Sequence, residues 1–165
     1  MRSSLAQPVP VPHRPPRGQG RVRNLKPGDA LGLGELMFVA YRGTVEDEGQ
    51  TLAAHEEDAR LTLGGEYGSV VWAASFILLA AEGMVAATVV TDWTERAETL
   101  LAFALVRPHA QGHGIGGALI AQSAAVLRDM GRPDWVLAVA PGNPAQRLYE
   151  RLGFTTFQPD RSAPD

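Results

Sequence analysis

The sequence predicts a single mixed α/β domain, and three observations support this fold class. Two apolar stretches, TLLAFALV at 99–106 and WVLAVA at 135–140, have the length and composition of buried strands. A helical pattern at 114–130 joins them, and a helical crossover requires the two strands to run parallel. Ahead of them, strand patterns separated by short turns indicate antiparallel pairing. With 165 residues, the chain is long enough for one domain and too short for two.

The first part of the domain is predicted to form a strand and two helices. GRVRNL at 20–25 is typical of a short strand. Asp29, which follows a Pro-Gly turn, is expected to cap a helix over 30–42, where apolar residues recur at helical spacing. A second helix is predicted over 51–63 and ends at a Gly-Gly pair.

The rest is predicted as three strands, a helix, a strand, a helix and a final strand. Their ranges are 75–81, 84–91, 99–106, 114–130, 135–140, 144–152 and 154–157. Asn143 is expected to cap the last helix, since an asparagine oxygen accepts a free N–H there and Pro144 suits the first helical position. The predicted order is β-α-α-β-β-β-α-β-α-β, a mixed sheet flanked by helices.

Composition limits the kinds of site and partner. Hydrophobic residues make up 45% and charged residues 20% of the chain, as in ordinary globular proteins. The chain has no cysteine, which excludes a disulfide and a cysteine nucleophile, and no metal site is predicted because no cysteine stands beside the four histidines. No apolar run approaches the roughly 20 residues that span a bilayer, and the N-terminus lacks the apolar core of a signal peptide. We therefore expect a cytoplasmic protein without a membrane partner.

The two ends of the chain differ from the domain. Residues 1–19 form a basic, proline-rich arm that we expect to be flexible. The arm has no interleaved aromatic residues that would stack on bases, so no nucleic-acid partner is predicted. We place the domain at 20–158 and a polar tail at 159–165.

A glycine-rich turn connects the apolar strand at 99–106 to the next helix. Its residues are Gln111, Gly112, His113, Gly114, Ile115, Gly116 and Gly117. A helix N-terminus carries unpaired N–H groups and a partial positive charge, and glycines let a phosphate approach the backbone closely. The simpler interpretation is a tight turn without a ligand. A dinucleotide site is disfavoured, because no carboxylate stands about 20 residues beyond Gly117 to hold a ribose.

Two motifs resemble those of the GNAT superfamily of acyl-CoA-dependent N-acetyltransferases. Val106, Pro108, Gln111, Gly114 and Gly116 follow its V-x-P-x-x-(Q/R)-x-x-G-x-(G/A) signature. In the second, an asparagine precedes A-x-x-L-Y-x-x-x-G-F, as in the segment 143–154 of this chain. The resemblance implies a GNAT-type fold with two splayed parallel central strands. It also implies transfer of an acetyl group from acetyl-CoA to a primary amine by direct attack.

The resemblance further assigns roles to residues. The glycine-rich turn, Gln111 to Gly117, would hold the pyrophosphate of CoA. Leu105, Val106 and Asn143 would contact the pantetheine arm, and a backbone N–H near Leu105 would stabilise the developing oxyanion. Tyr149, which would also line the cofactor site, corresponds to the general acid that protonates the departing thiolate. A tyrosine that only packs on the sheet is the alternative for that position.

The general base is not identified by the sequence. Some relatives carry a glutamate midway along the central strand, where this chain has only apolar residues at 101–104. Asp47, Glu48, Glu66 and His55 are candidates of equal standing, and a water relay is equally compatible. A non-catalytic module that binds or senses acyl-CoA is therefore the alternative function.

The acceptor is predicted to be a small-molecule or peptide amine. The stretch 46–58 holds six carboxylates and no Lys or Arg, which could attract a cationic amine, although a solvated helix face explains it equally well. Many GNAT domains have a strand hairpin after the G-F pair, whereas only eleven residues follow Phe154 here. We therefore expect an acceptor pocket that is more open or is completed by the partner in a homodimer.

Overall fold

The computed structural model describes residues 1–4 and 20–156. Most of the predicted N-terminal arm (5–19), the predicted tail and Phe157 lie outside the described residues. The domain limits drawn at residues 19/20 and 158/159 therefore remain predictions.

The described residues form six strands and four α-helices. In chain order they are β1 (Arg2–Ser4), β2 (Arg21–Asn24), α1 (Ala30–Tyr41), α2 (Leu52–Leu63), β3 (Phe76–Ala80), β4 (Gly83–Trp93), β5 (Glu98–Val106), α3 (Ile115–Asp129), β6 (Asp134–Val136) and α4 (Gln146–Arg151). The sheet has the order β1-β6-β5-β4-β3-β2, and only β5 and β6 pair in parallel. The predicted mixed α/β class is confirmed. None of these helices is long and apolar enough to cross a bilayer.

The helices cover both faces of the sheet. On one face, Leu33, Leu36 and Met37 of α1 pack with Ile77 of β3 and Leu105 of β5. On the other face, α3 and α4 contribute to a second cluster, whose members include Ile120, Leu127, Leu101, Trp135 and Tyr149. The long strand β4 is buried along most of its length because it lies between these two layers.

Three predicted elements at the β6 end of the sheet differ from the structure. The strand predicted at 135–140 is wrong in length, since β6 ends at Val136; Leu137 still exchanges backbone hydrogen bonds with Met1, and residues 138–140 leave the sheet. The helix predicted from Pro144 begins at Gln146, after a turn. Of the predicted strand at 154–157, the described part shows only an isolated bridge between Thr155 and Arg2.

The edge strand β1 was not predicted. It pairs antiparallel with β6, with Ser3 opposite Trp135. Its sequence, RSS, has no apolar alternation that would signal a strand. The pairing is made by backbone groups, which every residue type carries.

A β-bulge interrupts the pairing of β4 with β5. Val89 is opposite Phe103 and Val90 is opposite Leu101, so that Ala102 is an extra residue on β5. Such an insertion bends the strand and reverses the faces to which the following side chains point. Leu101 accordingly packs on the α3 side and Leu105 on the α1 side, although residues four apart share a face in a regular strand.

Candidate active site

A cleft opens between the two parallel strands. Within the described part of the chain, β5 and β6 share one register pair, Leu100 with Val136. Beyond it, β5 continues to Val106, whereas residues 137–140 form no strand. The bulge at Ala102 lies two residues past the shared pair and bends β5 at this point. The structure therefore contains the divergence of central strands that the family resemblance implied.

The pairing of β5 with β4 decides which backbone groups face the cleft. The N–H of Arg107 donates to the carbonyl of Val85 on β4 at 2.8 Å. Because neighbouring residues of a strand direct their N–H groups to opposite sides, Leu105 also points to β4, where it is opposite Ala87. Ala104 and Val106 therefore direct their N–H groups toward the cleft.

The carbonyl of Val106 also points away from β4, as the alternation along the strand requires. It accepts a hydrogen bond from Nε2 of Gln111 at 3.0 Å, so it does not point to β4. The Gln111 side chain thereby ties the glycine-rich turn to the end of β5. The predicted Leu105 lies at the cleft, but its neighbours carry the donors that face it.

The glycine-rich turn leads into α3 through a left-handed residue. Gly114 has φ of 79° and precedes the helix, a conformation that favours glycine. The first α3 bond runs from the Ala118 N–H to the Gly114 carbonyl, so the N–H groups of Ile115, Gly116 and Gly117 have no partner within the helix. A Cβ on Gly112 or on Gly114 would meet no atom within 4 Å. This exposed turn has the open, N–H-lined shape that suits a phosphate group.

Gly116 and Gly117 also serve packing. A Cβ on Gly116 would lie 3.3 Å from Cγ2 of Val106, and one on Gly117 would lie 3.3 Å from Cδ1 of Leu148. These distances are tighter than ordinary contacts, so the two glycines allow α3 to approach β5 and α4 closely. Their presence therefore has a structural explanation besides ligand binding.

Tyr149 lies on α4 with a buried ring and an open hydroxyl. The residue is 8% exposed, and its ring meets that of Phe154 edge-on at a centroid distance of 5.9 Å. Its hydroxyl has no hydrogen-bond partner among the described residues, yet it is not among the fully enclosed unpartnered polar atoms. Burial raises the pKa of the Tyr149 phenol, and the negative charge of Glu46 raises it further. The phenol therefore keeps its proton at neutral pH and can act as a proton donor.

Asn143 lies at the turn between the end of β6 and α4. Its Oδ1 accepts the N–H of Ala145 at 2.9 Å, and its backbone carbonyl accepts that of Gln146 at 3.0 Å. The predicted capping role thus appears as a turn that leads into α4. Its Nδ2 donates to Oε1 of Glu46 at 3.0 Å.

The four candidate bases differ in their surroundings. The carboxylate of Asp47 accepts the N–H groups of Gly43 and Gly49 and closes its own loop. Glu48 and Glu66 are exposed. His55 is buried against the rings of Phe38 and Tyr41.

Glu46 was missed as a candidate base. It contacts the segment between β6 and α4, and no spacing in the sequence signals a contact across 97 residues. Its place in the acidic stretch was the one available signal.

Two histidines near the turn bind neighbouring protein groups. Nδ1 of His113 donates to the Ala110 carbonyl at 3.2 Å, and Nε2 of His109 lies 3.2 Å from Oε1 of Glu82. Residues 1–4 and 20–156 contain no group of three or more His, Asp or Glu side chains that could hold a metal ion.

Comparison with known families identifies most of this region. Residues 68–156, more than half of the chain, match the family model of the acetyltransferase (GNAT) domain. The match covers β3 to β6 with α3 and α4, and so includes the cleft, the glycine-rich turn and Tyr149. A search of curated proteins found no match.

Solved structures share the fold at low sequence identity. A PaiA N-acetyltransferase from Thermoplasma acidophilum, in complex with coenzyme A, has 16% identity and a TM-score of 0.65, over 86% of this chain and 93% of that one. A transcriptional regulator from Bacillus halodurans C-125 has 16% identity and a TM-score of 0.62, over 85% and 95%. A GCN5-related N-acetyltransferase from Sphaerobacter thermophilus has 20% identity and a TM-score of 0.66, and 92% of this chain matches 45% of that longer one.

Proposed function

Because this chain belongs to the GNAT acetyltransferase family, we propose that it transfers an acetyl group from acetyl-CoA to a primary amine by direct attack of the amine on the thioester. The observation that carries this proposal is the cleft between β5 and β6. Backbone N–H groups of Ala104 and Val106 line its β5 side, and Tyr149 on α4 has an accessible hydroxyl. A thioester needs both an N–H donor for its carbonyl oxygen and a proton donor for its sulfur.

The glycine-rich turn would hold the phosphates of the acetyl donor. The unpaired N–H groups at the start of α3 and the open space beside Gly112 and Gly114 suit a pyrophosphate. The pantetheine arm would then follow β5, where Val106 directs its N–H toward the cleft. Asn143, on the opposite side of the cleft, would contact the arm through its side-chain amide.

We assign the oxyanion contact to the N–H of Ala104. Leu105 directs its N–H to β4, which leaves its two neighbours as donors on the cleft side. Ala104 packs in the same cluster as Tyr149, whereas Val106 packs in the cluster of Ile115, near the glycine-rich turn. A well-placed donor to a developing negative charge contributes about 3 kcal/mol to catalysis.

Tyr149 would give its proton to the sulfur as the carbon–sulfur bond breaks. Its raised pKa keeps the phenol protonated until that step. The ring contacts with Phe154 hold it in place, because they restrict rotation of the side chain.

Thiol release from acetyl-CoA across a panel of primary amines tests this function, together with calorimetry of CoA binding. We expect turnover with at least one amine and CoA binding that Gly114→Val abolishes. Gly131→Val is the matched control, since Gly131 at the other end of α3 has φ of 74° and the same open surroundings. The two substitutions carry equal backbone strain, and only the first blocks the turn.

Two results would contradict the proposal in different ways. Tight CoA binding without turnover of any amine would favour a module that senses acyl-CoA. Equal CoA affinity in Gly114→Val and Gly131→Val would show that the glycine-rich turn is not the phosphate site.

A further inference from the structure

Glu46 connects the α1–α2 loop to the far wall of the cleft. Its Oε1 accepts the N–H of Ala140 at 3.3 Å and Nδ2 of Asn143 at 3.0 Å, and the contacts are partly buried. Both partners belong to the segment that leads from β6 to α4. A loop between two helices thus places a carboxylate where the parallel strands have parted.

The two contacts leave half of the carboxylate available. Both hydrogen bonds go to Oε1, and Oε2 has no hydrogen-bond partner among residues 1–4 and 20–156. The bonds to Oε1 fix the orientation of the group. A carboxylate with one anchored and one open oxygen can receive a donor from a ligand without losing its position.

Two tyrosines, the partly buried Tyr41 and the buried Tyr149, lie within electrostatic reach of this carboxylate. Burial raises the pKa of Tyr41, and the charge of Glu46 is the next cause. The same order of causes holds for the pKa of Tyr149. Glu46 and the proposed acid therefore influence each other across the site, which supports a shared role.

We propose that Glu46 binds the acceptor amine through Oε2 and accepts its proton during acetyl transfer. This inference rests on the proposed function and names the proton acceptor that the sequence did not identify. It also restricts the acceptor to a primary amine that can reach past the α1–α2 loop into the cleft.

The proton transfers balance with Tyr149 as the acid. As the nitrogen–carbon bond to the acetyl group forms, one N–H proton passes to Oε2 of Glu46. As the carbon–sulfur bond breaks, the phenol of Tyr149 gives its proton to the sulfur. Passage of the proton from Glu46 to the phenolate restores both groups. An acceptor that arrives as an ammonium ion first passes one proton to Oε2 of Glu46, which releases it to water, and an uncharged nucleophile does not need this step.

A cavity beside this loop offers room for the rest of the acceptor. It has a volume of about 390 Å³ and is lined by Phe38, Arg42, Asp47, Thr51 and His55, among others. The rings of Phe38 and His55 meet edge-on at a centroid distance of 6.1 Å, and such rings suit an aromatic or apolar group. Tyramine, which joins an aromatic ring to a primary amine, is therefore an appropriate probe.

The test compares two nucleophiles with saturating acetyl-CoA. Tyramine must lose a proton to react, whereas hydroxylamine is uncharged at neutral pH and reacts without a strong base. In Glu46→Gln, we expect thiol release with tyramine to fall about 10²-fold or more and release with hydroxylamine to change little. The amide oxygen of glutamine can still accept the bonds from Ala140 and Asn143. Glu35→Gln removes an equal charge from an exposed side chain of α1 and should behave as wild type.

Each other outcome overturns the assignment. Equal losses with both nucleophiles would mean that Glu46 only holds the β6–α4 segment in place, and no loss with tyramine would mean that the proton goes elsewhere. If the wild-type enzyme itself acetylated hydroxylamine but not tyramine, the assignment would be overturned, while acetyl transfer as such would stand. Silence of the wild type with both nucleophiles, despite CoA binding, would contradict the proposed function itself.

Discussion

The hydroxyl of Tyr149 differs from its ring in what it contributes. The ring is buried against Phe154, while the hydroxyl has no hydrogen-bond partner among the described residues. Tyr149→Phe should therefore change the free energy of unfolding by less than about 1 kcal/mol. Loss of a general acid costs about 10²–10⁴-fold in rate. We expect this effect to lower kcat and to leave the KM for acetyl-CoA nearly unchanged.

Steady-state kinetics and urea unfolding measure the two effects separately. Tyr67→Phe is the control, because Tyr67 is exposed and donates only to Asp58. Wild-type kcat in Tyr149→Phe, in a reaction limited by chemistry, would reduce the tyrosine to a packing residue.

The site residues were predictable from sequence to different degrees. Tyr149 and the glycine-rich turn stand in motifs whose spacing is local, so the sequence alone is enough to propose them. The proposed oxyanion donor is Ala104 and not Leu105 because of which residues of β5 pair with β4, and a run of eight apolar residues does not reveal that pairing. Glu46 depends on the path of a loop, which has no periodic pattern.

Packing of α1 on α2 depends on one of two glycines in α1. A Cβ on Gly34 would lie 2.5 Å from Cα of Glu56, which is backbone of α2. We expect Gly34→Ala to lower the free energy of unfolding by about 1–3 kcal/mol, because the two helices must move apart. At Gly32 the nearest atom is Cε of Met84 at 3.4 Å, the end of a flexible side chain. Gly32→Ala should raise the free energy of unfolding by up to about 1 kcal/mol, because alanine favours the helix more than glycine does.

Urea denaturation of the two variants provides the measurement. Equal stability of Gly34→Ala and Gly32→Ala would show that the close approach of α1 and α2 carries no energetic weight. The contrast is useful because both glycines weaken the helix equally by propensity alone.

Element limits followed from local signals at some helix ends, although α4 begins two residues after its predicted start. Helix α2 begins one residue after the predicted start, because the side chain of Thr51 accepts the N–H of Ala54 as an N-cap. Within α2, Arg60 forms its ion pair with Glu57, while Glu56 packs against Gly34 of α1. The length of β6 was not predictable, because WVLAVA is equally apolar on both sides of the point where pairing stops.

At the scale of the whole molecule, one extra residue in β5 connects the proposed binding and catalytic cleft with the core. Ala102 allows Leu101 to pack under α3 and Leu105 to pack under α1. It also directs the N–H groups of Ala104 and Val106 toward the cleft. The class of fold and the order of elements from β2 to α4 followed from sequence. The bulge did not, because inserting one apolar residue into an apolar run leaves no trace in its pattern.

Deletion of Ala102 should therefore be far more damaging than its substitution. Without it, either Leu101 or Leu105 must leave its cluster, and full burial of a leucine is worth about 1.5–3 kcal/mol. We expect a loss of unfolding free energy of that size and loss of CoA binding, measured by urea unfolding and calorimetry. Ala102→Ser keeps the length and should retain CoA affinity. Normal affinity in the deletion variant would contradict this role of the bulge.

The bulge also predicts how this strand can change over evolutionary time. Single substitutions along β5 alter one side chain and leave the direction of the backbone donors as it was. An insertion or a deletion of one residue reverses that direction for every position on one side of the change, whereas a change of two residues preserves it. In descendants of this chain, alterations in the length of β5 should therefore survive in pairs.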